Sequence, residues 1–256
     1  MKKNECVFCK KQPPEIHLTR EHVLPDWMGE KLKADKTHGF VSKVKGKKLD
    51  KREVNGTSIL DVTVKRVCNK CNNGWMSKEL EEPLAKYIEL MAKNQQTKLD
   101  GKIQFTLALW AFKTALMRSL INGNEATISE YFDIVYQRKI PNNTHIWLID
   151  CGPNRTLYRT RHIWFKDQED RCVAFSSTLV ILGFTIQILS FLEEKPAQFN
   201  LDFFNNQIPN ASRKIWPTQQ PAQIQWPLFE SLDIDPAFLP ECVLGPSGLM
   251  DLRMHL

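Results

Sequence analysis

The sequence lacks the long apolar segments that mark secreted and membrane proteins. Its first residues are basic, but they are not followed by the apolar run of about seven residues or more that a secretory signal requires. The most apolar stretch, residues 177–192, is shorter than the roughly 20 residues of a membrane-spanning helix. It also alternates apolar with polar side chains, as a strand does. We therefore expect a cytoplasmic protein that does not act in a membrane.

Internal repeats and a disulfide framework are also missing. No period of about 20 to 50 residues recurs, which excludes repeat architectures. Seven cysteines are an odd number for a disulfide scaffold, so in a reducing compartment they indicate metal binding together with ordinary buried thiols. Cys151, Cys172 and Cys242 have no cysteine close by in the sequence and are interpreted as small core residues.

Periodicity divides the chain into two parts. Residues 39–66 alternate apolar and polar side chains around turn-forming pairs, which predicts a β-hairpin-like insertion, and an amphipathic helix follows Cys71. After a polar linker at 93–102, a nearly all-apolar helix and several strand-like runs follow. The pattern predicts an α+β protein with one domain at 1–98 and a second at 99–256. The second would bind substrate, a partner protein or another copy of the chain.

The histidines of the second part do not form a catalytic constellation. His145 and His162 are single histidines in strand-like apolar segments, and we interpret both as structural. Trp27 and Trp75 are likewise interpreted as packing residues. We therefore expect the chemistry to lie in the first part.

Positive charge is concentrated in the first 100 residues. They hold 21 Lys and Arg against 14 Asp and Glu, a balance of +7, and the remainder of the chain has a balance of −1. A basic surface of this kind attracts polyanions such as nucleic acid. A lysine-rich hairpin tip is also typical of a solvated or edge-protecting surface, so both interpretations stay open. The densest run contains six cations: Lys43, Lys45, Lys47, Lys48, Lys51 and Arg52.

Two Cys-x-x-Cys pairs stand 58 residues apart, Cys6 with Cys9 and Cys68 with Cys71. A two-residue spacer lets both thiolates turn toward one ion, and four thiolates complete a closed tetrahedral zinc shell. A redox pair is the competing interpretation, but a redox pair works alone, and this chain has two pairs. We therefore predict one structural zinc ion held by all four cysteines.

Glu21, His22 and Asn72 are the candidate catalytic residues near this zinc site. Asn72 directly follows Cys71, and the zinc ion would bring it close to the strand that bears Glu21 and His22. Carboxylate and amide oxygens suit Mg²⁺, which retains several waters and accepts phosphate oxygens. An imidazole beside that ion can take a proton from an attacking water. Together these groups indicate phosphodiester hydrolysis.

The segments CVFC, LTREHVLPDW and VCNKCNNGW resemble the HNH endonuclease family in its four-cysteine zinc branch, which has an endonuclease VII-like ββα-metal motif. The resemblance implies a treble-clef-like, zinc-braced domain that cleaves DNA and leaves 5′-phosphate and 3′-hydroxyl ends. By this resemblance His22 is the general base, and Glu21 and Asn72 hold a catalytic Mg²⁺ or Mn²⁺. Cys6, Cys9, Cys68 and Cys71 correspond to the structural zinc ligands.

The resemblance covers residues 6–80 and departs from the family in two places. The acidic ligand is commonly Asp, whereas Glu21 is one methylene longer, and the middle Asn of the motif has no clear match, with Asn55 and Asn73 as candidates. Proteins of this type occur in phage defence and mobile elements, which implies such a role here. RNA stays open as the substrate, and a non-catalytic zinc-stabilised nucleic-acid-binding or adaptor protein is the alternative.

Overall fold

A computed structural model gives the fold of most of the chain. Helices and strands both contribute extensively, which confirms the α+β class. Among the described residues, none of the helices combines the length and apolar content needed to cross a bilayer. The described residues are 4–32, 38–45, 48–55, 59–122, 128–153, 158–167, 169, 171–192, 199, 201–218, 222–232 and 253–255.

The first part is built around a pair of antiparallel strands. Strand β1 (Leu18–His22) pairs with β4 (Thr63–Cys68), with Leu18 opposite Cys68 and His22 opposite Thr63. Between them the chain forms helix α1 (Trp27–Lys31) and a separate hairpin of β2 (His38–Lys45) and β3 (Lys48–Asn55). A hairpin is therefore present within the predicted insertion at 39–66, but it ends at Asn55. The prediction was wrong for the last part of that segment, which belongs to β4 and pairs with β1.

The helix predicted after Cys71 begins as soon as β4 ends. Helix α2 (Asn69–Cys71) continues into a π-helical segment (Asn72–Glu81) and then into α3 (Glu82–Ala92). Gly74 interrupts the helical backbone geometry inside the π-helical segment. Pro83 lies where the π-helical segment passes into α3.

The predicted linker at 93–102 contains a short strand, β5 (Thr97–Leu99), which pairs with β11 (Ile224–Trp226). Local composition could not reveal this strand because its partner lies more than a hundred residues away. Helix α4 (Gly101–Ser119) follows, and Asp100 caps its N-terminus by accepting a hydrogen bond of 2.8 Å from the backbone N–H of Ile103. Helix α5 (Ser129–Tyr136) follows.

The second part is dominated by a six-stranded antiparallel sheet in the order β10-β6-β9-β8-β7-β12. One face packs against α4, and the other carries a smaller apolar cluster with α6 (Phe203–Gln207). The strands are β6 (Thr144–Asp150), β7 (Tyr158–Lys166), β8 (Cys172–Ile181), β9 (Phe184–Phe191), β10 (Ser212–Trp216) and β12 (Arg253–His255).

The main hydrophobic core is continuous across the predicted domain boundary. It includes Phe8 and Trp75 from the first part, Trp110 from α4 and Phe175 from the sheet. The division at 98/99 stays a prediction about sequence organisation, and the packing makes the two parts neighbours. Since both parts contribute to one core, groups from the second part can take part in a site on the first.

Of the isolated histidines and cysteines of the second part, His162 and Cys151 are buried, and His145 and Cys172 are half-buried. His162 is buried, its Nδ1 is hydrogen-bonded to Ser177 Oγ, and burial lowers its pKa to about 3, with a smaller effect from the positive charge of Arg118. His145 stacks on Trp147. Cys242 lies outside the described residues.

Candidate metal centre and surrounding residues

The two Cys-x-x-Cys pairs come together in one cluster. The Sγ atoms of Cys6, Cys9, Cys68 and Cys71 all lie within 4.8 Å of one another. The turn before β1 carries the first pair. In the second pair, Cys68 is the last residue of β4, and Cys71 lies in the helical turn that follows. The strand pairing of Leu18 with Cys68 then holds both knuckles at one end of the β1–β4 pair.

The sulfur spacing matches tetrahedral coordination of one zinc ion. With Zn–S bonds of about 2.3 Å, the edge of a regular tetrahedron of sulfurs is about 3.8 Å. The separation of Cys6 Sγ and Cys71 Sγ is 3.9 Å, and that of Cys9 Sγ and Cys68 Sγ is 3.7 Å. Disulfides would require about 2 Å. The four-cysteine cluster could therefore hold a metal ion such as zinc.

Backbone amides support the thiolates of the cluster. The N–H of Cys68 donates to Cys6 Sγ and that of Cys71 to Cys68 Sγ, both at 3.4 Å. The hydrogen bond with Cys71 lowers the pKa of Cys6 to about 4, whereas burial raises the pKa of Cys9 to about 11, and the contact with Cys6 together with burial raises the pKa of Cys71. Four crowded sulfurs can all ionise only beside a cation, so the cluster favours metal binding.

Asn72 lies against β1, as the sequence predicts for a residue directly after the last cysteine. Its Nδ2 donates a 3.3 Å hydrogen bond to Thr19 Oγ1, and Thr19 Oγ1 in turn donates to the backbone carbonyl of Val67 at 3.2 Å. This contact goes to Thr19 and not to Glu21. It leaves the amide oxygen of Asn72 directed away from that bond and available to a cation.

Glu21 is buried and belongs to an ion-pair triad with Lys113 and Glu81. Lys113 Nζ lies 3.0 Å from Glu81 Oε1 and 3.7 Å from Glu21 Oε1, and the lysine side chain is fully buried. Burial raises the pKa of Glu21 to about 7, Lys113 opposes that rise and Glu81 adds to it. One oxygen of Glu21 therefore faces an internal cation, and among the described residues no group bonds the other.

His22 lies on the opposite side of β1 from Glu21. Thr19 and Glu21 face the helical elements, and Arg20 and His22 face outward, because side chains alternate along a strand. The His22 side chain is 32 % exposed, so water can reach its imidazole, and its Nε2 lies 3.9 Å from Asp26 Oδ1. The three candidate catalytic residues are thus gathered at one strand, on two faces of it.

Trp75 is buried, as its packing interpretation predicts. Its ring contacts Phe8 edge-on at 5.2 Å between centroids, and the guanidinium of Arg138 lies 4.4 Å from its ring centre. Arg138 also forms a bidentate pair with Glu79, at 2.9 and 3.0 Å. Because Arg138 follows α5, this contact joins the second part to the helix that begins at the cysteine cluster.

The predicted cationic run lies on the inserted hairpin. Strands β2 and β3 contain Lys43, Lys45, Lys48, Lys51 and Arg52, whose backbones are described. Lys47 lies outside the described residues. The role of this run in binding nucleic acid therefore stays a prediction.

Sequence reasoning missed Lys113 and Glu81. A signal for Lys113 was present, because it stands inside the apolar helix at 103–121, and a buried lysine requires a carboxylate or another acceptor nearby. The partner could not be read from the sequence, since Glu21 is 92 positions away. Comparisons of the chain with protein-family models, with curated proteins and with solved structures give no match.

Proposed function

We propose that this chain is a metal-dependent endonuclease of the HNH type that hydrolyses phosphodiester bonds in DNA. The observation that carries the proposal is the bond between Asn72 and Thr19 beside the four-cysteine cluster. It fixes the start of the helix against the strand that bears Glu21 and His22. The candidate general base and the two candidate oxygen ligands of the resemblance therefore occupy one small region of the protein.

Each of these residues would have a distinct role in the reaction. The half-exposed imidazole of His22 would take the proton of the attacking water, and the nearby Asp26 carboxylate would stabilise the imidazolium that forms. Glu21 and Asn72 would present one oxygen each to a Mg²⁺ ion. When bound, Mg²⁺ supplies positive charge for the phosphate and the leaving oxygen. Since Glu21 and His22 point to opposite sides of β1, the phosphodiester would have to lie across the end of the strand.

A non-catalytic zinc-stabilised nucleic-acid-binding protein is the second candidate, and the ion-pair triad favours it. Lys113 already places a positive charge beside Glu21. A carboxylate balanced in this way attracts a divalent ion less strongly than a free one, by Coulomb's law. The two functions differ in whether Glu21 and Asn72 bind Mg²⁺, and in whether His22 has a chemical task.

Plasmid cleavage tests the nuclease. The purified protein should nick or linearise supercoiled plasmid with Mg²⁺, and His22→Ala should reduce the rate by at least about 100-fold because it removes the general base. His17→Ala is the matched control, since His17 is an exposed histidine just before β1. Zinc content should stay at one ion per chain in both variants. Equal cleavage by His22→Ala and wild type would contradict the mechanism.

A further inference from the structure

A basic patch lies on the strand pair that also carries His22. Arg20 and Lys65 are exposed on the outward side of β1 and β4, and Lys70 is exposed in the helical turn after Cys68. The register places Arg20 opposite the bulge at 65–66, because Thr19 pairs with Val67 and Glu21 with Val64. Arg20 and Lys65 are therefore neighbours across the strand pair, on the side to which His22 points.

The three cations of the basic patch have no counter-charge among the described residues. Among the described residues, no carboxylate pairs with Arg20, Lys65 or Lys70, and Asp26 approaches this side only at His22. Like charges facing each other across two strands repel, so the arrangement does not stabilise the fold. Some other cations of the described residues are paired, at 2.6 to 3.2 Å: Lys10 with Asp133, Lys11 with Glu15, Lys93 with Glu89 and Arg138 with Glu79.

We infer that the basic patch binds the phosphate backbone of a nucleic-acid strand and directs it along β1 and β4 toward His22. A strand of five or six residues is about 17 Å long. One strand of B-DNA carries one phosphate per about 3.4 Å of the duplex axis, so about five phosphates of that strand fall within this length of the axis. The inference rests on the proposed function for the role of His22, while the binding itself needs no cleavage.

This surface is separate from the cationic run of the inserted hairpin. The basic patch belongs to the strands that hold the cysteine cluster and the candidate base, whereas the run belongs to β2 and β3. Contacts beside His22 would set which phosphodiester lies next to the imidazole. Salt dependence measures the contribution of each surface, because each phosphate contact releases counterions.

Duplex binding in EDTA tests the inference without cleavage. A labelled DNA duplex is titrated by fluorescence anisotropy over a range of salt concentrations. The variant Arg20→Gln/Lys65→Gln/Lys70→Gln should flatten the slope of log K against log salt by about 2 to 3 units, at about 0.9 per lost contact. The control Lys86→Gln/Lys98→Gln/Lys102→Gln removes the same charge from three exposed lysines and should leave the slope unchanged.

The outcomes separate the inference from the proposed function. An unchanged slope in the patch variant, or an equal loss in the control, overturns the inference, even if wild type cleaves plasmid. A flattened slope in a protein that never cleaves supports the inference and overturns the nuclease. Wild type that binds no duplex overturns both. Vesicles of phosphatidylserine form a parallel arm: loss of vesicle binding alone, with duplex binding intact, would assign the patch to a membrane and overturn the inference.

Discussion

Replacement of Lys113 by Met should destabilise the protein strongly, because it leaves two carboxylates without their buried cation. Lys113 is fully buried and lies 3.0 Å from Glu81 and 3.7 Å from Glu21. Removal of one partner from a buried ion pair costs about 3 to 5 kcal/mol of unfolding free energy. At about 2 to 4 °C per kcal/mol for a chain of this size, the melting temperature should fall by about 6 to 20 °C.

The loss should depend on pH in a definite direction. The pKa of Glu21 is raised to about 7, mainly by burial, although Lys113 opposes that rise. A carboxyl with a raised pKa in the folded state contributes stability below its unfolded value, near 4.5, and that contribution is lost as pH rises through about 7. Without Lys113 the pKa of Glu21 rises further. The deficit of Lys113→Met relative to wild type should therefore be larger at pH 8 than at pH 5.

Calorimetry and urea unfolding at both pH values measure how much less stable Lys113→Met is than wild type. Two further variants test whether the loss is electrostatic. Lys86→Met is the control, since Lys86 is exposed and its replacement should change stability by less than about 0.5 kcal/mol. Adding Glu81→Gln to Lys113→Met removes one uncompensated charge and should recover part of the loss. A Lys113→Met protein as stable as wild type at pH 8, or a deficit that is equal at both pH values, would refute the triad as an electrostatic unit.

The remaining predictions concern the two proposed metal sites. Cys68→Ser should lower the zinc content from one ion per chain to well below one by elemental analysis and lower the melting temperature, whereas Cys151→Ser, at a buried thiol outside the cluster, should leave the zinc content unchanged. Calorimetric titration should detect Mg²⁺ binding in wild type and weaker binding in Asn72→Ala, with Asn206→Ala as the control at an exposed asparagine of α6. Absence of a Mg²⁺ site in wild type would favour the non-catalytic binding protein.

The sequence predicted the cysteine cluster well because its signal is chemical and local. Each Cys-x-x-Cys pair has the spacing of a chelating pair. In a chain that is not expected to form disulfides, two such pairs indicate a shared metal site more than a redox pair. The position of Asn72 was also predictable, because Asn72 directly follows Cys71 in the sequence and the cysteine cluster lies beside β1. The nearly all-apolar run after the linker likewise predicted α4.

The environment of Glu21 could not be predicted, since it is made by tertiary contacts. The sequence shows Glu21 and His22 as neighbours, but strand alternation gives them different surroundings. One faces the core with Lys113, and the other faces water beside Arg20. The short strand β5 was missed for the same reason, because Leu99 is paired with Ile224 by a contact that no local pattern encodes.

The proposed site therefore depends on the second part of the chain. Helix α4 supplies the positive charge that two acidic residues of the first part require, and Arg138 binds the helix that begins at the cysteine cluster. Without Lys113, Glu21 would be a buried carboxylate with no counter-charge. Without Arg138, the ring of Trp75 would lose the guanidinium that packs on it. Zinc alone would hold the two knuckles together, but it does not reach Glu21. Residues 99–256 consequently shape the proposed site even though they contain none of its predicted catalytic residues.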